Sequence, residues 1–272
     1  MAITYLAGDR IQGSSVGGTG GKVGTGAGSF STANLHYTGN GDQDGDMTVA
    51  FWFYRTQSSS SNLTAYNQVS SDNTINANRL QVGTQAAGTW AIYSTSEKLS
   101  GGTPPLNTWI HMAVTINGTT WKLYEDGIET DSATDGQATR TNDGLISFMG
   151  EGSGAWAQGY MDEACLYDRA LSEPEVLSLA DGSKKPNDTS LDTSNSLTLY
   201  IPMDTVSSGN WYDDKSSTGQ AISLTGSPTQ ITNIVQSERF SVTNVPNGTI
   251  FEELDIGKHY MFDGTSTWNE IT

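Results

Sequence analysis

Cations are scarce in this chain of 272 residues: 13 Lys and Arg stand against 30 Asp and Glu, a net charge of -17. Such a surface repels phosphate backbones and anionic bilayers, which excludes nucleic acid as a partner and disfavours acidic membranes. Cysteine is nearly missing as well. Cys165 stands alone, which rules out an internal disulfide framework and a Cys-based zinc cluster. Among apolar, strand-like neighbours it reads as a small buried hydrophobe. No apolar run reaches the roughly 18 residues of a membrane-spanning helix, so no membrane insertion is expected. The opening Met-Ala-Ile-Thr-Tyr-Leu has neither a basic nor an apolar leader region and reads as carrying no secretory signal. His36, His111 and His259 are far apart in strand-like patterns, and no Gly-x-Ser-x-Gly, His-Glu-x-x-His or Cys/His pairing accompanies them.

What is present is uncharged and turn-rich. Glycine supplies 31 residues, Ser, Thr and Asn are abundant, and hydrophobic and aromatic residues make up 35% and 9% of the chain. That mixture predicts β structure. Residues 1–29 read as an arm or edge strand and then a flexible glycine-rich loop through 17–28; without a following Gly-Lys-Ser/Thr it is no phosphate cradle. Strands are predicted at Met47-Thr-Val-Ala-Phe-Trp-Phe-Tyr54, at 79–82 and 90–93, and at Trp109-Ile-His-Met-Ala-Val-Thr-Ile116. The last of these places Ile110, Met112, Val114 and Ile116 on one face. A turn at Asn117-Gly118 leads to Trp121-Lys-Leu-Tyr124, and further strands fall at 145–149 and 160–167. Ser172-Glu-Pro-Glu175 forms a capping box for a short helix that Gly182 ends. Residues 183–196 read as a polar linker, followed by strands at 197–201 and 221–224 and a compact run of hairpins from 239 to the end. The pattern predicts an all-β, antiparallel β-sandwich of jelly-roll type with a small C-terminal β-hairpin module.

Four segments occur in a telling order: Phe51-Trp-Phe-Tyr54, Asn107-Thr-Trp-Ile-His-Met-Ala-Val114, Trp121-Lys-Leu-Tyr-Glu-Asp-Gly127 and Gly159-Tyr-Met-Asp-Glu-Ala-Cys-Leu-Tyr-Asp-Arg-Ala-Leu-Ser172. Over residues 20–182 the chain resembles laminin-G-like, concanavalin A-like jelly rolls. In that family a strand like Leu197-Thr-Leu-Tyr-Ile-Pro-Met-Asp204 usually precedes a segment like Gly21-Lys-Val-Gly-Thr-Gly26. Here it follows, which reads as a circular permutation, with residues 197–228 completing the sheet of a jelly roll spanning 20–232. The alternative is the start of a second sandwich. The block from Phe240 to Glu270 resembles small β-modules in structural proteins of tailed phages and related viruses, and Ala7-Gly-Asp-Arg-Ile-Gln-Gly13 resembles their first strand. Residues 1–19 are therefore expected to join a docking or oligomerisation module at 233–272.

In the resembled jelly rolls, an Asp at the place of Asp162 often helps bind a structural Ca²⁺. Asp162 is accordingly a candidate metal ligand; the plainer reading is a carboxylate that caps a turn or pairs with Arg169. Asp42, Asp44 and Asp46 have the first three spacings of an EF-hand, but Met47 stands where Gly is needed and Phe53 where Glu is needed. An acidic loop is the simpler reading. Asp162 and Glu163 are adjacent and on a regular strand would face opposite sides, so they do not form a glycosidase pair. Trp90, Trp109, Trp121, Trp156 and Trp211 could stack on sugars; Trp109 and Trp121 fit core positions, and Trp156, in a glycine-rich loop, is the candidate for an exposed ring. No catalytic residues are assigned and an enzyme is not expected. The expected function is a virion structural or surface protein, partnered by other virion proteins or by itself, that displays the jelly roll for weak attachment to host-surface glycans. A secreted or cell-surface carbohydrate-binding module is the alternative, and a glycoside-acting enzyme a third class.

Overall fold

The computed structural model describes residues 22–38, 45–57, 63–69, 79–85, 88–134, 144–150, 156–204, 206 and 208–232, together with the backbone of three strands near the C-terminus. The arm at 1–19, Asp42 and Asp44 lie outside the described residues. Two compact units divide the chain: residues 20–233, and a smaller one drawn from 1–19 and 234–272.

The larger unit opens with β1 (Ala27–Phe30), β2 (Asn34–Thr38), β3 (Met47–Arg55), β4 (Leu63–Val69), β5 (Gln81–Thr84), β6 (Trp90–Tyr93) and β7 (Glu97–Ser100). Then follow β8 (Trp109–Asn117), β9 (Thr120–Glu125), β10 (Ile128–Thr134), β11 (Leu145–Phe148), β12 (Gly159–Tyr167) and the helix α1 (Glu173–Ala180). Three late strands complete it: β13 (Leu197–Ile201), β14 (Ser223–Thr225) and β15 (Thr229–Ile231). The smaller unit contains an antiparallel meander of β16 (Ile250–Glu253), β17 (Lys258–Phe262) and β18 (Trp268–Ile271).

Two antiparallel sheets face each other. One runs β10-β9-β8-β3-β12-β1-β15 with β13 also on β12, and the other runs β14-β2-β11-β4-β5-β6-β7. The alternation read along β8 is realised: Ile110, Met112, Val114 and Ile116 point inward with Phe51, Phe53, Phe148, Trp90 and Trp121 into one core. The late strands are integral. β13 pairs with β12, β14 with β2 and β15 with β1, so both sheets draw on residues after 196. The glycine-rich opening is ordered further forward than its composition suggests, because Gly28 pairs with both Met161 and Gln230. A Cβ there would lie 2.6 Å from the Phe30 ring, so glycine suits the strand.

Among the described residues, the apolar cluster outside the sandwich core lies on the outer face of the first sheet. Ala50, Ala113, Tyr124, Cys165, Tyr167 and Tyr200 form a second core there with Leu171, Val176, Leu179, Leu191 and Leu197. Val176, Leu179 and Ala180 supply the buried side of α1. Glu175 accepts from the Ser172 N–H at 2.7 Å and is clamped by Arg169 through two bonds of 3.0 and 2.8 Å, which fixes the helix start. Gly182, with φ of 70°, ends the helix in the left-handed region that glycine adopts freely. Residues 183–196 are no linker. Their polar composition hides Leu191, which is fully buried, and Pro186, whose carbonyl accepts from the Tyr167 hydroxyl at 2.6 Å.

Removing residues 186–272 strips β13, β14 and β15 and exposes what Leu197, Leu199 and Ile201 cover. Each such side chain contributes roughly 1.5–3 kcal/mol. A 1–185 fragment is expected to lose its cooperative thermal transition in circular dichroism; a sharp transition would show that the late strands are dispensable.

Candidate functional site

β12 carries an extra residue. Asp162 pairs with Trp52 and Cys165 with Ala50, so two residues intervene on β12 where one does on β3. Glu163 takes up the difference with φ of 50°. Met161 and Ala164 both point into the inner core, so the intervening Asp162 and Glu163 lie together on the outer face. The expectation that they face opposite sides is therefore corrected: a β-bulge breaks the alternation. Asp162 is fully buried. Its Oδ2 accepts from the Val23 N–H at 2.9 Å and its Oδ1 from the Glu163 N–H at 3.0 Å. Glu163 accepts from the Tyr200 hydroxyl at 2.7 Å, and the Lys185 ammonium lies 3.7 Å from Glu163 and 3.6 Å from Asp204. Asp204 in turn accepts from the Thr25 N–H and hydroxyl.

Burial above all, then the neighbouring carboxylate of Glu163, raises the Asp162 pKa well above the usual carboxylate range. Burial likewise lifts Glu163 to about 7, against the opposing pull of Tyr200 and Lys185. His111, one strand beyond Trp52, is buried and pushed down to about 3, so its ring is neutral. A cavity of about 10 Å³ touches His111, Glu163, Cys165, Lys184 and Pro186; it has room for about one water and none for a substrate.

A calcium ion takes roughly six to eight oxygen ligands. Asp162 spends both carboxylate oxygens on backbone N–H groups, and an ammonium already serves Glu163 and Asp204. Among the described residues no three His, Cys, Asp or Glu side chains gather as metal ligands. The residues fit calcium poorly, and Asp162 acts as a strut to the 22–25 segment. Nor does it pair with Arg169, which Glu175 holds. Asp46 is exposed and accepts from the Gly118 N–H at 2.6 Å, latching the β8–β9 turn. Trp156 is half-buried rather than open: its backbone bridges Thr64 and its ring covers Gly150, where an added Cβ would lie 2.4 Å away. Trp90, Trp109 and Trp121 are buried, and Trp211 packs edge-on against Phe30 at 6.2 Å.

The outer face of the second sheet is built differently. Strand register aligns Ser223, His36, Ser147, Asn67, Gln81, Tyr93 and Glu97 in one file across all seven strands. Ser147 and Asn67 at the middle are buried, while His36 and Ser223 at one end and Tyr93 and Glu97 at the other reach solvent. At the Tyr93 end the polar groups are already organised. Glu97 accepts from Gln85 and, at 3.5 Å, from the Tyr93 hydroxyl. Arg79 donates to the Gln81 side-chain oxygen at 3.1 Å, and Gln81 donates to the Thr64 hydroxyl at 2.8 Å. A half-exposed ring flanked by an acid, an arginine and two amides offers a stacking face and oriented hydrogen-bonding groups together. Sequence reasoning passed over Tyr93, although the alternation of Trp90-Ala-Ile-Tyr93 already sets it on the face opposite Trp90 and Ile92.

Residues 24–177 match the family model described as concanavalin A-like lectin/glucanases superfamily, of the third laminin G type. The chain belongs to this superfamily. Among solved structures it is similar to a carbohydrate-binding candidate from Bacteroides ovatus, with a TM-score of 0.60 and 15% identity over 76% of this chain and 60% of that one. A heptameric SAP-like pentraxin from Limulus polyphemus gives a TM-score of 0.50 and 12% identity over 78% of this chain and 95% of the pentraxin. Trypanosoma rangeli sialidase gives 0.44 and 13% over 52% of this chain and 23% of the enzyme. No curated protein matches the sequence. The Bacteroides and Limulus likenesses show the fold alone; this chain spans about three fifths of the Bacteroides protein.

Two outcomes are expected for the bulge. Glu163 binds its proton more tightly folded (pKa about 7) than unfolded (4.5); its favourable contribution is complete below 4.5 and lost as pH rises through 7. Glu163→Gln should thus raise the unfolding free energy at pH 8, by on the order of 1 kcal/mol, and leave it near wild type at pH 4.5; equal effects at both would refute the assignment. Adding EDTA to protein equilibrated with Ca²⁺ should leave the melting midpoint unmoved, and a fall of several degrees would restore Asp162 as a ligand.

Proposed function

We propose that the protein is a non-catalytic glycan-binding module that engages sugar at the Tyr93 end of the second sheet. The observation that carries this reading is the platform itself: an accessible ring bordered by Glu97, Gln85, Gln81 and Arg79, on a face that bears polar side chains in all seven strands. Sugars present an apolar C–H face and a rim of hydroxyls, and an aromatic ring with planar polar neighbours complements both. The carbohydrate-binding candidate from Bacteroides ovatus carries the same fold. Catalysis has no place in the reading: the route most glycosidases use needs two opposed carboxylates, and Glu97 is the platform's one carboxylate among the described residues.

The setting we propose is the outer surface of a virion, with the smaller unit docking to other particle proteins or to its own copies. The resemblance of the C-terminal block to phage structural modules and the surplus of acid over base support it, and weak sites repeated on a particle gain strength by avidity. A secreted or cell-surface module is the competing setting.

Glycan-array screening of the intact protein should return binding that Tyr93→Ala reduces at least tenfold with the melting midpoint unchanged; undiminished binding by that variant would remove the platform. Immunogold labelling of purified particles checks the setting, and protein found only in the particle-free fraction would favour the competing one.

A further inference from the structure

The opposite broad face of the sandwich holds a groove of about 490 Å³, within the size range of small-molecule sites. Its floor is the outer side of β8 and β9, where Thr115 and Tyr124 are buried; Asn117 and Thr120 open its mouth. The far wall is the chain leading into α1, from Arg169 to Glu175. Its location differs from the Tyr93 platform in sheet, in face and in residues.

The lining is balanced in charge. Lys122 and Arg169 offset Glu173 and Glu175, in a chain whose net charge is -17. The charges are also held in place. Lys122 is paired with Glu129 at 2.7 Å, and Arg169 is fixed by Glu175 and by the Leu191 carbonyl at 2.6 Å. An ammonium paired with one oxygen keeps two further N–H donors, and the exposed Glu173 carboxylate, close enough to Lys122 to act on its ionisation, supplies acceptors. Hydroxyl and amide groups of Thr120 and Asn117 complete the set. An anionic ligand would meet Glu173 and Glu175, and a cationic one Lys122 and Arg169. An apolar peptide would find Ala170 and, in the floor, the buried Leu171 and Tyr124, and would leave Lys122 and Glu173 facing it unmatched. A neutral ligand whose every substituent both donates and accepts satisfies this lining, and that is the chemistry of a polyol.

We propose that this groove is a second ligand site, built for one or two rings of a neutral oligosaccharide, so that a single copy of the sandwich carries glycan on both broad faces and can bridge two chains. The choice of ligand class rests on the glycan-binding reading above, whereas the site itself rests on the groove. Bridging by one domain multiplies attachment without requiring an oligomer.

The test is a ¹H–¹⁵N titration of the full chain with cellopentaose, laminaripentaose and mannopentaose in turn. For at least one probe, amides of 117–122 and 171–175 should shift along their own saturation curve, separate from those of 93–97. Lys122→Ala/Glu173→Ala, both at solvent-exposed or half-exposed positions, should abolish the first set and spare the second. Tyr93→Ala should do the reverse. Shifts confined to 93–97 overturn the groove and leave the platform standing. Shifts confined to the groove overturn the platform alone, and no shifts with any probe overturn both. Groove shifts that survive the double substitution overturn the assignment of Lys122 and Glu173. Because the wild-type titration reads both sites, a double variant that misfolds still leaves the proposal exposed to refutation.

Discussion

The bulge at Asp162 and Glu163 is the joint on which the larger sheet depends. Along one edge of β12, β1 covers residues 159–161 and β13 covers 164–167, so the two strands lie end to end with the bulge between them. A regular strand would present one side chain to the outer face at that joint. The extra residue presents two, and each is used. Asp162 takes the Val23 N–H ahead of β1, and Glu163 takes the Tyr200 hydroxyl of β13. Asp204, just past β13, closes the ring through Thr25. Backbone constraints agree with this reading: a Cβ on Gly24 would fall 2.1 Å from the Asp204 carboxylate. Chain segments about 180 residues apart are thereby tied at one point, at the cost of keeping carboxylates out of water.

The two broad faces of the sandwich follow from which sheet needed covering. Outward residues of β3, β8 and β12 include the apolar Ala50, Ala113, Cys165 and Tyr167, and α1 with the 183–196 segment closes over them. The outward file across the second sheet carries hydroxyls, amides, His36, Tyr93 and Glu97, which gain little from an apolar lid. Accessible polar surface therefore lies at the Tyr93 end of the second sheet and in the gap that the short helix leaves beside β8 and β9, rather than under the helix, where the remaining space holds about one water.

Much of the fold was legible in the sequence because the apolar pattern on β3 and β8 is strong and the Ser172–Glu175 box is local. β4, β7 and β10 were not read, since polar residues dominate their visible pattern and register with neighbours, rather than propensity, makes them strands. The reading of 183–196 as a linker failed for a similar reason: one buried leucine and one carbonyl decide its packing, and neither has a composition signature. At the site, Asp162 was singled out for its place in a motif, yet its role depends on an inserted residue that pairing alone reveals. Tyr93 needed only parity along four residues, but the eye is drawn to tryptophan, and here Trp90 fills the core.

The margins of the sandwich have their own chemistry. β10 and β7 are the outer strands of their sheets. Asp131 on β10 accepts from the Ser100 N–H at 2.8 Å, and Glu125 accepts from the Gly102 N–H at 2.7 Å. Backbone donors that would otherwise invite a strand from another molecule are taken by carboxylates of the same chain. Two copies held close together therefore gain little by annealing along this border.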